Sequence, residues 1–467
     1  MKTYQDLLEC GQDENARISF ILSAIEEHKA SSLYRTAVDA KLYYGGENPT
    51  INRYEKILYD MQGKAHRDMW TANHKIASSF FKLVVKQEYN YLLGNGVTFD
   101  KETNKNKLGR DFDIQVSKAA EYALIGGVSF GFWDLDHVQV FEATEFVPLY
   151  DEENGALAAG IRFWQINDGK PLRCTLYELD GFTEYIKRRG EDLEELASKR
   201  KYIIHATGSK LESGKIYEGE NYPDFPIVPL KNNRDCRSEL CGKRNIIDAL
   251  DLCTSNMVNS VDEGNIIYWA LQNCGGMDDM DAAKFLERVK MNHIAFMDSA
   301  GEGASIEPHT IEAPYVGTQA TIEMLEKKLY KDFMALDTSD DALNAPTATG
   351  LKFRYTNLDL KTDDFERQVT EFVLGILKLA GIDDSPTYTR NQIINRQEEM
   401  QSILMVAPYV TREYLTRKLL TILGDADMVE DILKQLDAED LNRFDGNNPQ
   451  DGGNEPEEGE KNGENGN

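Results

Sequence analysis

The chain is short of the features that mark a secreted domain, a membrane span or a metalloenzyme. Six of its 467 residues are cysteine (Cys10, Cys174, Cys236, Cys241, Cys253 and Cys274), and they are scattered without a CxxC pair or a histidine at metal-ligand spacing. Neither a disulfide framework nor a zinc site is expected, and the thiols read as reduced structural residues. No apolar run approaches the roughly 18 residues that suggest a membrane-spanning helix. The opening MKTYQDLLECGQDENAR has no basic start followed by an apolar stretch, so a soluble product made in the cytoplasm is expected. Basic residues are also in deficit: 52 Lys and Arg stand against 80 Asp and Glu, a net charge of −28. A chain that grips nucleic acid by neutralising phosphates needs the opposite balance, because that affinity comes from Lys and Arg displacing counterions.

Catalytic patterns are missing as well. The seven histidines form no HExxH pair, and there is no GxSxG elbow or Cys/His couple. GSKLESGKI fails as a phosphate loop, since Gly208 lies one residue too far from Gly214 and Lys215 and Ile216 stands where a hydroxyl is required. GGVSFGF, Gly126 to Phe132, has glycines but no helical pattern after it, and close packing of small residues accounts for it better than a dinucleotide. Asp278, Asp279 and Asp281 could hold a divalent metal in a nuclease-like site. In GMDDMDAAKFL they read more simply as acids at the start of a short helix. No cofactor is expected.

What is present is 41% apolar residues, enough for real cores and, at this length, for about three domains. Asp13 to Tyr44 is helical in period until YYGGENP breaks it, and Ala72 to Leu93 repeats apolar residues at three- and four-residue steps before Gly94. From Asp134 to Arg189 the period becomes two, with hairpin signals at Asn154-Gly155, Asp168-Gly169 and Asp180-Gly181, an antiparallel meander. NYPDFPIVPLKNN then carries three prolines between Pro223 and Pro229 and reads as an extended segment leaving the sheet. Long helices are expected over Asn245–Leu271, Thr318–Leu336 and Asp363–Leu379, and shorter ones around Ile394, Leu415 and Ile432. The tail from Asp445 to Asn467 has seven acids against one Lys and reads as disordered. Between the second and third long helices lies DTSDDALNAPTATGLKFRYTNLDLK, Asp337 to Lys361, which resembles neither a tight turn nor a polar linker.

The order of these parts carries a resemblance. FFKLVVKQEYNYLLGNGVTF ends the N-terminal helices, PDFPIVPLKNNRDCRSEL leaves the β-rich block, IIDALDLCTSNMVNSVDEGNI opens a long helix, and LNAPTATGLKFRYTNLDLKTDDFE follows the second one. As a set, from about Tyr43 to Leu379, they are similar to the portal protein, or head-to-tail connector, family of tailed bacteriophages. The resemblance implies an α+β, mainly helical subunit. Its parts would be a wing of N-terminal helices plus β meander (1–231), a first stem helix (232–274), a clip (275–314), a second stem helix (315–336), a tunnel loop (337–361), a wing helix (362–382), a crown (383–440) and a disordered acidic tail (441–467).

It implies a ring of subunits, commonly a dodecamer, at one capsid vertex of a virion, around a channel for double-stranded DNA, with no membrane partner. Terminase large subunit, capsid and scaffolding proteins and head-tail adaptors would be its partners. The tunnel loop would present Asp340, Asp341, Asn344, Ala345, Thr347, Ala348, Thr349 and Gly350 to the channel. Clip residues Asp278, Asp279 and Asp281 would face terminase or adaptors. Lys327, Lys328 and Lys331 on the second stem helix are the candidates for DNA contact, their alternative being a solvated face with i,i+4 pairs to Glu323 and Glu326. A non-ring structural adaptor and a metal-dependent nuclease stay open as alternatives.

Overall fold

The computed structural model describes residues 2–59, 62–69, 71–207, 216–264, 268–272, 305–309, 315–337, 348–391, 396–423 and 428–436. Near the N-terminus come α1 (Tyr4–Glu9), α2 (Glu14–Ala30), α3 (Ser32–Gly45), α4 (Pro49–Arg53) and a small ribbon of β1 (Ile57–Tyr59) and β2 (Ala65–Arg67). The helical stretch read as Asp13 to Tyr44 is two helices. Ser31 takes extended dihedrals between them, and its Oγ accepts the Tyr34 N–H at 3.2 Å, so one serine both ends α2 and caps α3. Gly46, at φ 77°, ends α3 where the paired glycines place the break.

Next come α5 (Phe80–Leu93), β3 (Val97–Phe99), α6 (Glu102–Lys105) and α7 (Phe112–Gly126). The β-rich block follows as β4 (Val128–Asp134), β5 (His137–Glu142), β6 (Phe146–Tyr150), β7 (Leu157–Trp164), β8 (Leu172–Glu178), β9 (Gly181–Lys187), β10 (Leu193–Arg200), β11 (Ile203–Thr207), β12 (Ile216–Glu220) and β13 (Ile227–Lys231). Strands β6 to β10 form an antiparallel meander in the order β10-β9-β8-β7-β6, turning at the three Asx-Gly pairs picked out in the sequence. One face buries Val147, Ile161 and Leu176 against Leu7, Ile21 and Ile25 of α1 and α2.

The proline-rich segment leaves the meander, as its composition leads one to expect, and then re-enters strand structure in a different sheet. Ile227–Lys231 pairs with β4 in a second sheet of order β13-β4-β5, with Pro229 opposite Phe130. A proline fits there because β13 is an edge strand, where a missing N–H costs no ladder bond. Phe130 and Phe132 of β4 join Phe141, Phe146, Tyr177 and Tyr202 in an aromatic cluster that links the two sheets.

Beyond the sheets lie α8 (Arg244–Gly264), β14 (Tyr268–Gln272), β15 (Ser305–His309), α9 (Tyr315–Asp332), α10 (Ala348–Leu379) and β16 (Pro386–Tyr388), which pairs with β3. The first long helix stops at Gly264, short of Leu271, because Tyr268–Gln272 spends its backbone bonds on an antiparallel ladder with Ser305–His309. The second is displaced toward its N-terminus, Tyr315 to Asp332. The third begins at Ala348, fifteen residues before the expected start, so 348–361 is helix rather than loop. Its first turns escaped the sequence reading because they carry no continuous apolar stripe, Phe353 and Leu360 pointing outward.

Contacts divide the chain into two units, one of Met1–Ala345 with Leu351–Asn391 and one of Pro346–Gly350 with Gln392–Asn467. The second contains α11 (Arg396–Val406), α12 (Arg412–Leu423) and a helical turn at 428–436. Among the side chains described there only Val429 is buried, while Leu404, Met405, Tyr409 and Leu423 stay exposed.

Candidate functional site

α8 and α9 pack side by side, and α9 turns Leu329 inward, with Phe333 just beyond its end fully buried too. On its outer face Lys327, Lys328 and Lys331 line an open groove with Glu323, Met324 and Asp332. Lys328 lies 3.1 Å from Asp332, a different partner from the Glu323 or Glu326 expected. Lys327 and Lys331 make no ion pair among the described residues. Ala348, Thr349 and Gly350 form the first turn of α10. Asp340, Asp341, Asn344, Ala345 and Thr347 lie outside the described residues, as do Asp278, Asp279 and Asp281 of the expected clip.

The base of the helix pair is tied down by charges that the sequence reading missed. Lys361 of α10 lies 2.7 Å from Glu88 of α5 and 2.8 Å from Glu239, and Lys243 lies 2.6 Å from Glu239 just ahead of α8. Glu88 is 1% exposed. Its burial pushes the carboxyl up to about 7, Lys361 opposing the shift and Glu239 adding to it. Burial works against Glu239 too, but Lys361 and Lys243 overrule it and hold this carboxyl below its ordinary value. Lys361 is itself raised: burial would lower it, and the two carboxylates outweigh that. A signal existed. Glu88 follows Phe81 and Val84 at helical steps, and Lys361 lies between Leu358 and Phe365, so opposite charges occupy two positions where the period calls for apolar residues.

A second tie anchors the same stretch of α10. Arg390 reaches Asp359 and Glu366 at 2.9 Å each and also pairs with Asp363, three acids one turn apart on α10. Its guanidinium also lies over the ring of Tyr91, which stacks on Tyr355 at 5.5 Å.

α8 is held by an extended strap, and here the expected helix from Ala72 is corrected. Residues 72–79 are not helical; α5 starts at Phe80. The N–H groups of Ser78, Ile76 and His74 donate in turn to Asp251 Oδ1 (3.0 Å), Ser255 Oγ (3.0 Å) and Asn259 Oδ1 (2.7 Å), and the His74 ring meets Asp262. A strand exposes every second N–H on one side and a helix repeats its face about every fourth residue, so each strap donor finds an acceptor one helical turn on. Those side chains compensate the strap for the intrahelical bonds it forgoes. Replacing Ser255 or Asn259 by Ala strands an amide, and each is expected to cost roughly 1–3 kcal/mol in urea unfolding. The Thr254→Ala control, whose hydroxyl bonds only Leu250 O of its own helix, should cost less. Amide exchange at His74 and Ile76 should accelerate selectively.

Residues 22–440 match the phage portal protein family of the SPP1 Gp6-like type. The chain belongs to that family. The portal protein of Clostridium phage phiCD119 is 24% identical over 396 residues, covering 78% of this chain and 84% of that protein. The portal protein of Bacillus phage SPP1 is 23% identical over 419 residues, covering 83% and 79%. Among solved structures, a chain in the virion of a native gene transfer agent particle is similar with TM-score 0.45 at 10% identity, covering 73% of this chain and 89% of that one. A chain in the neck of that particle, computed with C12 symmetry, gives TM-score 0.43 at 12% identity, with coverage of 73% and 89%. The resemblance read from the sequence therefore holds over most of the portal-family chain, and the fold is mixed helix and sheet.

Proposed function

We propose that copies of this portal-family chain close into a homo-oligomeric ring, a dodecamer, at one capsid vertex, and that double-stranded DNA enters and leaves through its channel. The family match over residues 22–440 carries this reading. The chain would be made in the host cytoplasm, assemble with capsid and scaffolding proteins, dock the terminase large subunit through Asp278, Asp279 and Asp281, and later receive head-tail adaptors. Its role is structural rather than catalytic. A C-terminal unit that buries almost nothing within its described residues supports assembly, since helices this short need apolar contacts from a neighbour to persist.

Charge supports the transport role. A wall with many free cations would hold a duplex, whereas a chain of net charge −28 lets it slide. Lys327 and Lys331 are the cations of α9 that remain for transient phosphate contact. Asp340, Asp341, Asn344, Ala345 and Thr347 would line the constriction, carried by α10, with Ala348, Thr349 and Gly350 at the root of that helix.

Light scattering and negative-stain imaging of the purified chain with divalent cations should find a ring with a central hole; a small oligomer under all salt conditions defeats the reading. Asn344→Trp or Ala345→Trp, repeated by symmetry around one aperture, should leave assembly intact and cut or stall DNA packaging. Normal packaging by capsids shown to contain the variant would remove residues 337–350 from the channel wall.

A further inference from the structure

Described residues on both sides of 338–347 come back to one helix, α5. On the near side α9 ends in a turn that glycine would normally supply. Met334 sits there at φ 53°; its N–H donates to Lys331 O at 3.1 Å, and the Ala335 N–H to Tyr330 O at 2.9 Å. A left-handed dihedral at a residue with a side chain is uncommon, and it persists where the surroundings over-determine it.

Two residues on, they do. Gln87 Nε2 donates to Leu336 O at 3.0 Å, and Gln87 Oε1 accepts the Leu336 N–H at 2.9 Å. One side chain thus satisfies both main-chain groups of a residue that belongs to no helix or strand. Two bonds to one residue fix orientation as well as distance, as a ladder pair does. A single bond would leave a pivot.

On the far side, the next turn of α5 receives α10. Tyr91 stacks on Tyr355 at 5.5 Å, and its hydroxyl donates to Asp359 at 2.5 Å. The Leu336 side chain packs into the same small cluster of Tyr91, Tyr355 and Leu358. Gln87 and Tyr91 are four residues apart, about one turn on one face, so the exit from α9 and the early part of α10 share a single support.

We infer that Gln87 is a positioning residue, which acts through Leu336 to set where the chain leaves α9 relative to α10. This rests on the channel reading above and names the side chain that places the start of residues 337–350.

The test uses the full chain in assembled capsids. Gln87→Met keeps the length of the side chain and drops both polar groups, at a position that is only half-buried. Circular dichroism and ring size should stay those of the wild type, amide exchange at Leu336 should accelerate about tenfold, and capsids should package less DNA or stall. Gln87→Glu is closer in shape but turns an acceptor toward Leu336 O, so it should package worse than Gln87→Met. The reverse order would show that volume rather than the paired bonds is what Gln87 supplies, and would overturn the inference. So would unchanged exchange at Leu336, loss of rings in both variants, or normal packaging by capsids shown to contain Gln87→Met. Asn344→Trp separates the two readings. If it stalls packaging and Gln87→Met does not, only the role of Gln87 falls; if neither stalls, the channel reading falls with it.

Discussion

Lys361→Met should cost about 3–5 kcal/mol of stability at pH 8, the penalty of breaking a buried ion pair by removing one partner. The reason is specific to this junction: without the ammonium, Glu88 and Glu239 face each other inside the protein with only Lys243 beside Glu239. The cost should depend on pH in a definite direction. In the wild type, the folded value of Glu88, about 7, stands above its ordinary 4.5. Between those values the native state keeps a proton that the unfolded state has lost, so this group makes stability fall as pH rises from about 4.5 to about 7. Glu239, depressed in the folded state, acts oppositely and adds stability that is lost as pH falls below its ordinary range.

Glu88→Gln should therefore remove the decline across that window. Lys361→Met should steepen it, because both carboxyls then ionise unfavourably, and the double variant should recover part of the loss. Urea midpoints from pH 4.5 to 8 at one protomer concentration, which holds assembly constant, provide the measurement. A Lys361→Met deficit that is the same at every pH would show that packing, not charge, is what the lysine supplies.

Phe372→Ala should be comparably damaging, again about 3–5 kcal/mol, since the ring is fully buried and its loss leaves a cavity where α10 meets the sheet. A methyl at Gly131 of β4 would sit 2.6 Å from two carbons of this ring. Gly131→Ala alone should therefore cost about 1–3 kcal/mol by overpacking. Combined with Phe372→Ala, the methyl enters the vacated space, and the double variant should be better than the sum of the singles by about 1 kcal/mol or more. Strict additivity would mean that α10 shifts on the sheet when the ring is removed. The same close approach recurs where a methyl at Gly375 would meet Val228 at 2.7 Å, so α10 lies on the β13-β4-β5 sheet through reciprocal small-for-large contacts.

Much of this was legible in residue order alone. Hairpins at Asx-Gly pairs are local, because those residues alone tolerate the turn dihedrals. The core faces of α5, α9 and the later part of α10 follow from apolar period, and the portal family from phrases such as LNAPTATGLKFRYTNLDLK in their order. Long-range compensation was not legible. Residues 72–79 have helical periodicity, yet they are not helical, and Asp251, Ser255 and Asn259, far away in sequence, accept their amides. Pro229 reads as a strand breaker until β13 is seen to occupy a sheet edge. Lys361 looks like one more charge on a polar helix until Glu88 and Glu239 close around it. Sequence determined what each segment can form by itself, and tertiary structure decided wherever a backbone donor or a buried charge is satisfied by a partner more than a hundred residues away, or where a strand's place at a sheet edge tolerates a missing N–H.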